Sequence, residues 1–211
     1  MNELLVAAGK RFARFATRVV VRWPALWRVF RRPLRAQFDA LAPGWQGIHS
    51  AGAAPPLAVA FDRLERPPAR ILDLGTGTGN GAQLAASRFP EAEVIGVDMS
   101  SGMIEEAERR LPAELAGRVR FEVGDASALP FPEAAFDLVL LLNMIPFFPE
   151  IARLTAPGGV VAFVHGSGPS TPIWTPAATL RRELEPLGFD RFEELEKGGA
   201  TALLAWKGTP E

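Results

Sequence analysis

The sequence predicts an α/β fold in which helices cover both faces of a mainly parallel β-sheet. Short apolar segments alternate with helical segments from about residue 68 onward. Segments that are apolar on both faces are typical of parallel strands, because the helices on either side bury both surfaces of such a sheet. A glycine-rich turn follows the first of these strands, and Gly198-Gly199 indicates a hairpin near the C-terminus.

Each element is placed by its local pattern, and residues 57–211 are expected to form the main domain. The expected strands are residues 71–74, 93–97, 119–123, 136–142, 160–164, 190–196 and 200–206. The expected helices are residues 57–64, 81–88, 101–110, 151–154 and 177–187. Segment 41–56 is rich in Gly, Ala and Pro and predicts a loop, and Pro157-Gly158-Gly159 predicts a turn.

The composition excludes several classes of site. A length of 211 residues is enough for one ordinary domain with an appendage. The chain has no cysteine, which excludes disulfides, thiolate metal sites and cysteine nucleophiles. With only two histidines, we expect no metal centre. Residues 1–40 carry a charge of +7, which leaves −8 for the rest because the formal net charge is −1.

Residues 1–56 are predicted to form a basic, amphipathic helical extension that serves as a lid. The apolar residues Leu4, Ala8, Phe12, Phe15, Val19 and Trp23 recur every three or four positions beside a row of arginines. Pro24 and Pro33 are expected to divide this segment into a helix, a turn and a second short helix.

Three roles for the extension stay open. In the first, its apolar stripe packs on the domain or on a second subunit. In the second, residues 3–36 lie on an anionic membrane surface. In the third, its arginines bind nucleic acid. The acidic remainder argues against a nucleic-acid partner. The chain has neither a long uncharged apolar run nor a signal peptide, so we expect a cytoplasmic protein, with peripheral membrane contact as the alternative.

The strongest motif is the glycine-rich turn in Ile71–Asn80, between the first strand and its helix. Glycines let backbone N–H groups at a helix N-terminus approach a ligand closely. Gly77, Gly79 and Ala82 also match the dinucleotide pattern, so NAD(P) stays an alternative at this point. Asp73 lies two residues before the first glycine, where its charge would repel a diphosphate but suit a cationic ligand.

Two more carboxylates follow the next two strands. Asp98 offers two acceptor oxygens that match the hydroxyls of a ribose, in NAD or in S-adenosylmethionine. Met99 either lies against an adenine ring or belongs to the core. Asp125 can accept the exocyclic amine of adenine while the N–H of Ala126 donates to the ring.

Taken in order, these motifs resemble the class I S-adenosylmethionine-dependent methyltransferases, particularly the small-molecule branch with the ubiquinone and menaquinone C-methyltransferases. The matching segments, over roughly residues 68–207, are LDLGTGTG, GVDMS, GDA with LPF, FDLVL and LTAPGG. The resemblance implies a Rossmann-like, doubly wound seven-stranded sheet, mostly parallel with an antiparallel C-terminal strand, and S-adenosylmethionine as the methyl donor. The donor-binding residues that it implies are Asp73, Gly75, Thr76, Gly77, Gly79, Asp98, Met99, Asp125, Ala126 and Leu141.

The acceptor side departs from the family pattern. Many relatives carry a histidine just after the fourth strand, where this chain has Pro146, which cannot titrate. Asn143 and Phe147 either line an acceptor pocket or pack in the core. Trp45 is expected in the lid over the donor, and Trp174 at the rim of the pocket.

The expected function is in-line methyl transfer to a small, apolar or aromatic molecule. Alignment of donor and acceptor can supply much of the catalysis, so a base is needed only if the acceptor loses a proton. His165 and His49 are the candidate bases. The alternatives are a donor-binding protein without catalysis and an NAD(P)-dependent oxidoreductase; the acceptor and the oligomeric state are not defined by the sequence.

Overall fold

The computed structural model describes residues 3–45 and 54–209, which form one seven-stranded sheet with helices on both faces. The strands are β1 (Arg70–Leu74), β2 (Glu93–Asp98), β3 (Val119–Val123), β4 (Phe136–Leu142), β5 (Thr155–His165), β6 (Phe189–Lys197) and β7 (Ala200–Lys207). The helices are α1 (Glu3–Arg22), α2 (Trp27–Leu41), α3 (Ala54–Phe61), α4 (Asn80–Arg88), α5 (Ser101–Arg109), α6 (Phe148–Leu154) and α7 (Ala177–Leu184).

The strand order is β3-β2-β1-β4-β5-β7-β6, which confirms the predicted fold class. Strands β1 to β5 pair in parallel, and β7 runs antiparallel to both β5 and β6. The order reverses between β1 and β4, where Leu74 is in register with Leu141. In open α/β sheets, ligands bind beyond the carboxyl ends of the strands at such a switch point. The fold therefore places the binding site at this edge.

Two predicted breaks are wrong. The helix break expected at Pro33 does not occur, because α2 runs through this proline, whereas the chain does turn at Pro24. Trp27 and Leu34 on the same helix are buried in the core, and their packing offsets the cost of about 3 kcal/mol for an interior proline. The expected turn at Pro157-Gly158-Gly159 lies inside β5, as an irregularity where the register with β4 shifts.

The core has one layer on each face of the sheet. The layer that includes α1 and α2 contains Ala13, Ala16, Val20, Trp27 and Leu34 among its buried residues. The other layer lies under α3, α4 and α5. The N-terminal extension therefore packs on the domain itself. Within the described ranges, no helix has both the length and the apolar character needed to cross a membrane.

The apolar stripe that the spacing predicts along α1 is not the face that packs on the domain. The buried positions are the small residues Ala13 and Ala16, with Val20, whereas Phe15 of the expected stripe and Trp23 after the helix are 58% and 55% exposed. Small side chains let the helix approach the sheet layer closely. Phe12 packs partly against this core, whereas Phe15 and Trp23 are left on the outer side.

Leu34→Ala should show that α2 folds together with the domain. Leu34 is 1% exposed, so its truncation should lower the free energy of unfolding by about 2–4 kcal/mol in one cooperative transition. Val29→Ala on the same helix is the control, since Val29 is 58% exposed and should change stability by less than about 0.5 kcal/mol. Urea unfolding followed by circular dichroism measures both, and equal stabilities for the two variants would contradict this packing.

Candidate functional site

The glycine loop between β1 and α4 lies at the switch point of the sheet. Gly75, Gly77 and Gly79 have φ angles of +68°, +54° and +82°, in the region that favours glycine. A Cβ at Gly75 would lie 2.6 Å from Sδ of Met144, so this position also has no room for a side chain. At Gly77 the nearest atom to such a Cβ is the indole nitrogen of Trp45, at 3.8 Å. The space beside the Cα of Gly77 is therefore bounded only by Trp45.

Asp73 holds the glycine loop from below. Its side chain is wholly buried, and Thr76 donates its hydroxyl to Oδ2 at 2.7 Å. The carboxylate lies against Gly81 in the first turn of α4, where a Cβ would be 2.8 Å from Oδ2. Burial raises the pKa of Asp73 to about 6, and the hydrogen bond from Thr76 partly offsets that rise. The structure thus places the carboxylate under the loop, at the helix N-terminus.

Asp98 connects the glycine loop to the end of β2. Its Oδ2 accepts the backbone N–H of Gly77 at 3.0 Å, and its Oδ1 accepts that of Ser100 at 2.9 Å. Burial raises the pKa of Asp98, and the nearby charge of Asp39 raises it further. Met99 follows it and is partly exposed. The carboxylate is held at the carboxyl edge of β2, where the ribose contact was predicted.

Asp125 lies just beyond β3 and contacts the N-terminal extension. Its Oδ1 accepts the backbone N–H and the hydroxyl of Ser127, at 3.0 and 2.7 Å, and the indole N–H of Trp27 at 2.8 Å. Arg31 lies 3.5 Å from Oδ2. Burial alone would raise the pKa of Asp125, but the hydrogen bonds from Ser127 and Trp27 outweigh it and lower the pKa. Ala126, the next residue, is buried.

Asp39, in the last turn of α2, connects this helix to the start of α5. Its Oδ1 accepts the hydroxyl of Ser100 at 2.5 Å and the backbone N–H of Gly102 at 3.3 Å. A carboxylate is stabilised at this position because the N-terminus of a helix carries partial positive charge. Ser100 itself caps α5 by accepting the N–H of Met103 at 3.1 Å.

Residues 27–45 therefore extend along the carboxyl edge of the sheet, and we call them the cover segment. It contacts Asp125 through Trp27, the start of α5 through Asp39, and the glycine loop through Trp45. Trp45 packs edge-on against Phe38, with ring centroids 5.7 Å apart. Of the residues that make these contacts, only Trp45 is predicted from the sequence.

Sequence reasoning missed Trp27, Arg31 and Asp39 as residues of the site. One signal was available, because Asp39 is the only acidic residue between positions 4 and 40. An isolated carboxylate in a basic helix indicates a contact with polar groups elsewhere in the fold.

The predicted acceptor residues lie around the ends of β4 and β5. Phe147 is buried, with its ring edge-on to Trp27 at a centroid distance of 5.0 Å. Asn143 has a φ of +51°, and its Oδ1 accepts the backbone N–H of Gly166 at 3.0 Å, which joins the two strand ends. Trp174 is partly exposed, and Leu141 is buried in β4 beside β1.

This site can be compared with known proteins. A family model described as "Methyltransferase domain" matches residues 71–159, which include the glycine loop, Asp98 and Asp125. Trans-aconitate 2-methyltransferase of Methylobacterium nodulans is 43% identical over 102 residues, which cover 45% of this chain and 37% of that protein. Demethylmenaquinone methyltransferase of Thermus thermophilus is 45% identical over 104 residues, which cover 46% of each chain.

The matched part of the chain, residues 71–159, therefore carries a methyltransferase domain that is similar to the class I, S-adenosylmethionine-dependent kind. It spans less than half the length of these two relatives. The structure of human N-acetylserotonin methyltransferase in complex with S-adenosylmethionine superposes with a TM-score of 0.63 at 21% identity. That match covers 88% of this chain and 58% of the human chain, and it shows the shared methyltransferase fold.

Of the two histidines predicted as candidate bases, only His165 lies among the described residues. His165 is 5% exposed at the end of β5, and its Nε2 accepts the backbone N–H of Thr175 at 3.4 Å. Burial lowers the pKa of His165 to about 4. These surroundings do not favour proton transfer by His165, and its role as a base stays a prediction. His49 lies outside the described residues, and among those described no cluster of metal-ligating side chains occurs.

His165 and Asp73 should change the stability of the protein with pH in opposite directions over overlapping pH ranges. As the pH falls from 6.5 to 4, the unfolded chain protonates a histidine that the fold keeps neutral, so stability decreases. As the pH rises from 3.8 to 6, the unfolded chain ionises an aspartate that the fold keeps protonated, so stability again decreases. The two effects oppose each other between pH 4 and 6.

Single substitutions should separate them in urea unfolding at a series of pH values. The stability advantage of the wild type over His165→Gln should grow by about 3 kcal/mol as the pH rises from 4 to 6.5. Its advantage over Asp73→Asn should shrink by about 3 kcal/mol as the pH rises from 3.8 to 6. Parallel pH profiles for all three proteins would contradict both assignments.

Proposed function

We propose that this protein transfers a methyl group from S-adenosylmethionine to a small organic acceptor. The observation that carries the proposal is the arrangement of the glycine loop, Asp98 and Asp125 along one edge of the sheet, beneath the cover segment. S-adenosylmethionine supplies, when bound, an activated methyl group on a positively charged sulfur.

The residues at this edge fit each part of the donor. Gly75, Thr76, Gly77 and Gly79, beside Leu141, would hold the methionine portion, because no side chain other than Trp45 comes close to the Cα of Gly77. Asp98 and Met99 would contact the ribose and the adenine, and Asp125 and Ala126 the adenine edge. Asp73, buried under the loop, would contribute by holding the glycines in their left-handed conformations.

The charges favour a cationic ligand over a diphosphate. Asp73 and Asp98 contact the glycine loop, and Asp39 is close enough to Asp98 for its charge to raise the pKa of Asp98. A pyrophosphate would add negative charge next to these carboxylates, whereas a sulfonium and an amino group would reduce their repulsion. The oxidoreductase alternative is therefore not favoured.

The chain's contribution to the reaction would be positioning and exclusion of water. In-line displacement at a sulfonium needs alignment more than it needs acid–base chemistry. Trp45 lies above Gly77, and Trp27 above Asp125, so the cover segment would enclose both ends of the donor. In this scheme residues 1–56 form the lid and residues 57–211 the donor-binding domain.

The acceptor would bind near Phe147, Asn143 and Trp174, beyond the ends of β4 and β5. The two relatives described above are named for different acceptors, aconitate and demethylmenaquinone, so neither acceptor passes to this chain by similarity alone. The aromatic rings of Phe147 and Trp27 favour a small, apolar or aromatic molecule.

Donor binding and turnover test this proposal. Isothermal titration calorimetry should show binding of S-adenosylhomocysteine and no heat with NAD. Release of S-adenosylhomocysteine over a library of metabolites and quinones should then identify acceptors. Binding of NAD without S-adenosylhomocysteine would disprove the proposal, and donor binding without turnover of any acceptor would favour the non-catalytic alternative.

Asp98→Ala should weaken S-adenosylhomocysteine binding by about 10- to 100-fold. The variant loses the charged acceptor for the ribose hydroxyls and also the support that Asp98 gives to Gly77. Calorimetry measures the change, and Asp62→Ala, which removes a carboxylate remote from the loop, is the control. Equal affinities in the two variants would refute the assignment of Asp98.

Trp27→Phe tests whether the cover segment acts on the donor site. The variant keeps an aromatic ring against Phe147 but cannot donate to Asp125. If the closed cover holds Asp125 in position for adenine, S-adenosylhomocysteine affinity should fall by about tenfold. Tighter binding would mean instead that Trp27 competes with adenine for Asp125, and would contradict this role.

A further inference from the structure

The outer surface of α1 carries one line of arginines with an aromatic residue among them. Arg11, Phe15, Arg18 and Arg22 have the spacing i, i+4, i+7, i+11, which places them along one side of a helix. All four are exposed, and Phe15 is among the most exposed large apolar residues of the described chain.

This line is separate from the face of α1 that stabilises the fold. The inward face consists of Ala13, Ala16, Thr17 and Val20, all buried. Phe15 instead contacts Phe30 of α2, edge-on at a centroid distance of 6.0 Å. An aromatic side chain at an exposed position of this kind adds little to the core, so burial in the core does not explain it.

Further exposed apolar side chains lie at the turn between α1 and α2 and at the start of α2. Trp23 is exposed there, and the guanidinium of Arg22 lies 5.5 Å from the centre of its ring. Val29, at the start of α2, is also exposed. The outer surface of the helical hairpin thus presents three separate apolar side chains among arginines.

Three arginines of the extension contact other parts of the protein, whereas the three on the outer side of α1 form no ion pair with a described acidic residue. Arg14 donates to the carbonyl of Ser170, Arg31 contacts Asp125 and Arg35 contacts Asp39, so these three face the protein. Arg11, Arg18 and Arg22 make no ion pair with an acidic residue of the described chain; the ion pairs there involve other arginines. Their positive charge is therefore available to an external partner.

We propose that this outer surface docks on an anionic lipid bilayer. We call it the docking surface and define it as Arg11, Phe15, Arg18, Arg22, Trp23 and Val29. Arginines beside exposed aromatic and aliphatic side chains are typical of helices that lie in the membrane interface. Each basic residue gains attraction to anionic headgroups, and Trp23 combines an apolar ring with a polar N–H, which suits that boundary.

A bilayer fits these observations better than a polyanion or a second copy. Nucleic-acid phosphates would pair with the arginines but would leave Phe15, Trp23 and Val29 in water. A second copy would bring two rows of unpaired arginines together, and like charges repel. Only a partner with both anionic headgroups and an apolar interior satisfies both sets of side chains.

The docking surface lies next to the acceptor side of the site. An open groove of about 690 Å³ adjoins the turn after α1 and is lined in part by Arg22, Pro24 and Phe148. Phe147, the residue before Phe148, contacts Trp27 of the cover segment. Docking would thus bring this side of the protein close to the lipid.

Vesicle flotation of the full chain tests the proposal. We expect binding to vesicles of phosphatidylcholine mixed with phosphatidylglycerol, and little binding to phosphatidylcholine alone. The triple variant Arg11→Gln, Arg18→Gln, Arg22→Gln should reduce partitioning by about 100-fold, which is about fivefold for each charge. The double variant Phe15→Ser, Trp23→Ser should reduce it by about tenfold at unchanged charge.

The matched control removes three arginines from other surfaces, through Arg88→Gln, Arg109→Gln and Arg120→Gln. It should retain most of the vesicle binding, and all variants should keep the thermal midpoint and S-adenosylhomocysteine affinity of the wild type. Equal loss in the control and in the triple variant would overturn the proposal, as would equal binding to both kinds of vesicle.

Two further outcomes would show that the docking surface binds a different partner, and either of them would overturn the proposal. One is tighter binding to a DNA duplex than to anionic vesicles. The other is a dimer in analytical ultracentrifugation that the Phe15→Ser, Trp23→Ser variant abolishes, without vesicle binding by the wild type. A lack of S-adenosylhomocysteine binding in every protein would count against the proposed function alone, because flotation needs no donor.

Discussion

Trp27 donates its indole N–H to Asp125 at 2.8 Å, and this hydrogen bond sets where α2 lies on the sheet. Trp27 and Leu34 on the same helix are both buried, so apolar packing holds the helix in place. A single hydrogen bond contributes only about 1 kcal/mol net, but a buried donor without a partner costs more. The hydrogen bond therefore selects the register of α2, while the packing stabilises it.

The position of α2 determines the rest of the candidate site. With Trp27 at Asp125, the helical rise of 1.5 Å per residue takes Asp39 about 18 Å further along, to the start of α5. The turn that follows brings Trp45 over Gly77. The helix and the turn after it thus extend past the parts of the site predicted for the adenine, the ribose and the methionine, in that order.

The fold could be predicted because its signals are local. β3 and β4 have the bounds that the sequence predicts. β4 is an almost continuous apolar run, as is typical of a strand buried on both faces, whereas β3 alternates apolar with charged residues. The contacts of α2 could not be predicted in this way, because Trp27 and Asp125 are 98 positions apart. Local propensity also failed at Pro33, where tertiary packing outweighs the helix-breaking effect of proline.

The candidate site was predicted in part, and burial explains the difference. Asp98 and Asp125 lie at the carboxyl edge, as the strand pattern indicates for residues that follow parallel strands. Asp73 has the same kind of position in the sequence, yet it lies beneath the loop, because its side chain alternates to the face covered by α4. On α1, the spacing of large aromatic residues suggested the buried face, but the small Ala13 and Ala16 form it.

The position of the extension on the domain explains how a basic N-terminal segment and an acidic remainder can act separately. A helix with its side chains is about 10–12 Å across, whereas the Debye length at physiological ionic strength is about 8 Å. Arginines on the outer side of α1 are therefore largely screened from the carboxylates under α2. The basic extension can satisfy Asp125 and Asp39 with its inner residues and still present an unneutralised positive surface outward. The formal net charge of −1 is the sum of the basic extension and the acidic remainder, so it shows neither of them. Each of these charged regions acts over a shorter distance than the thickness of the extension that separates them.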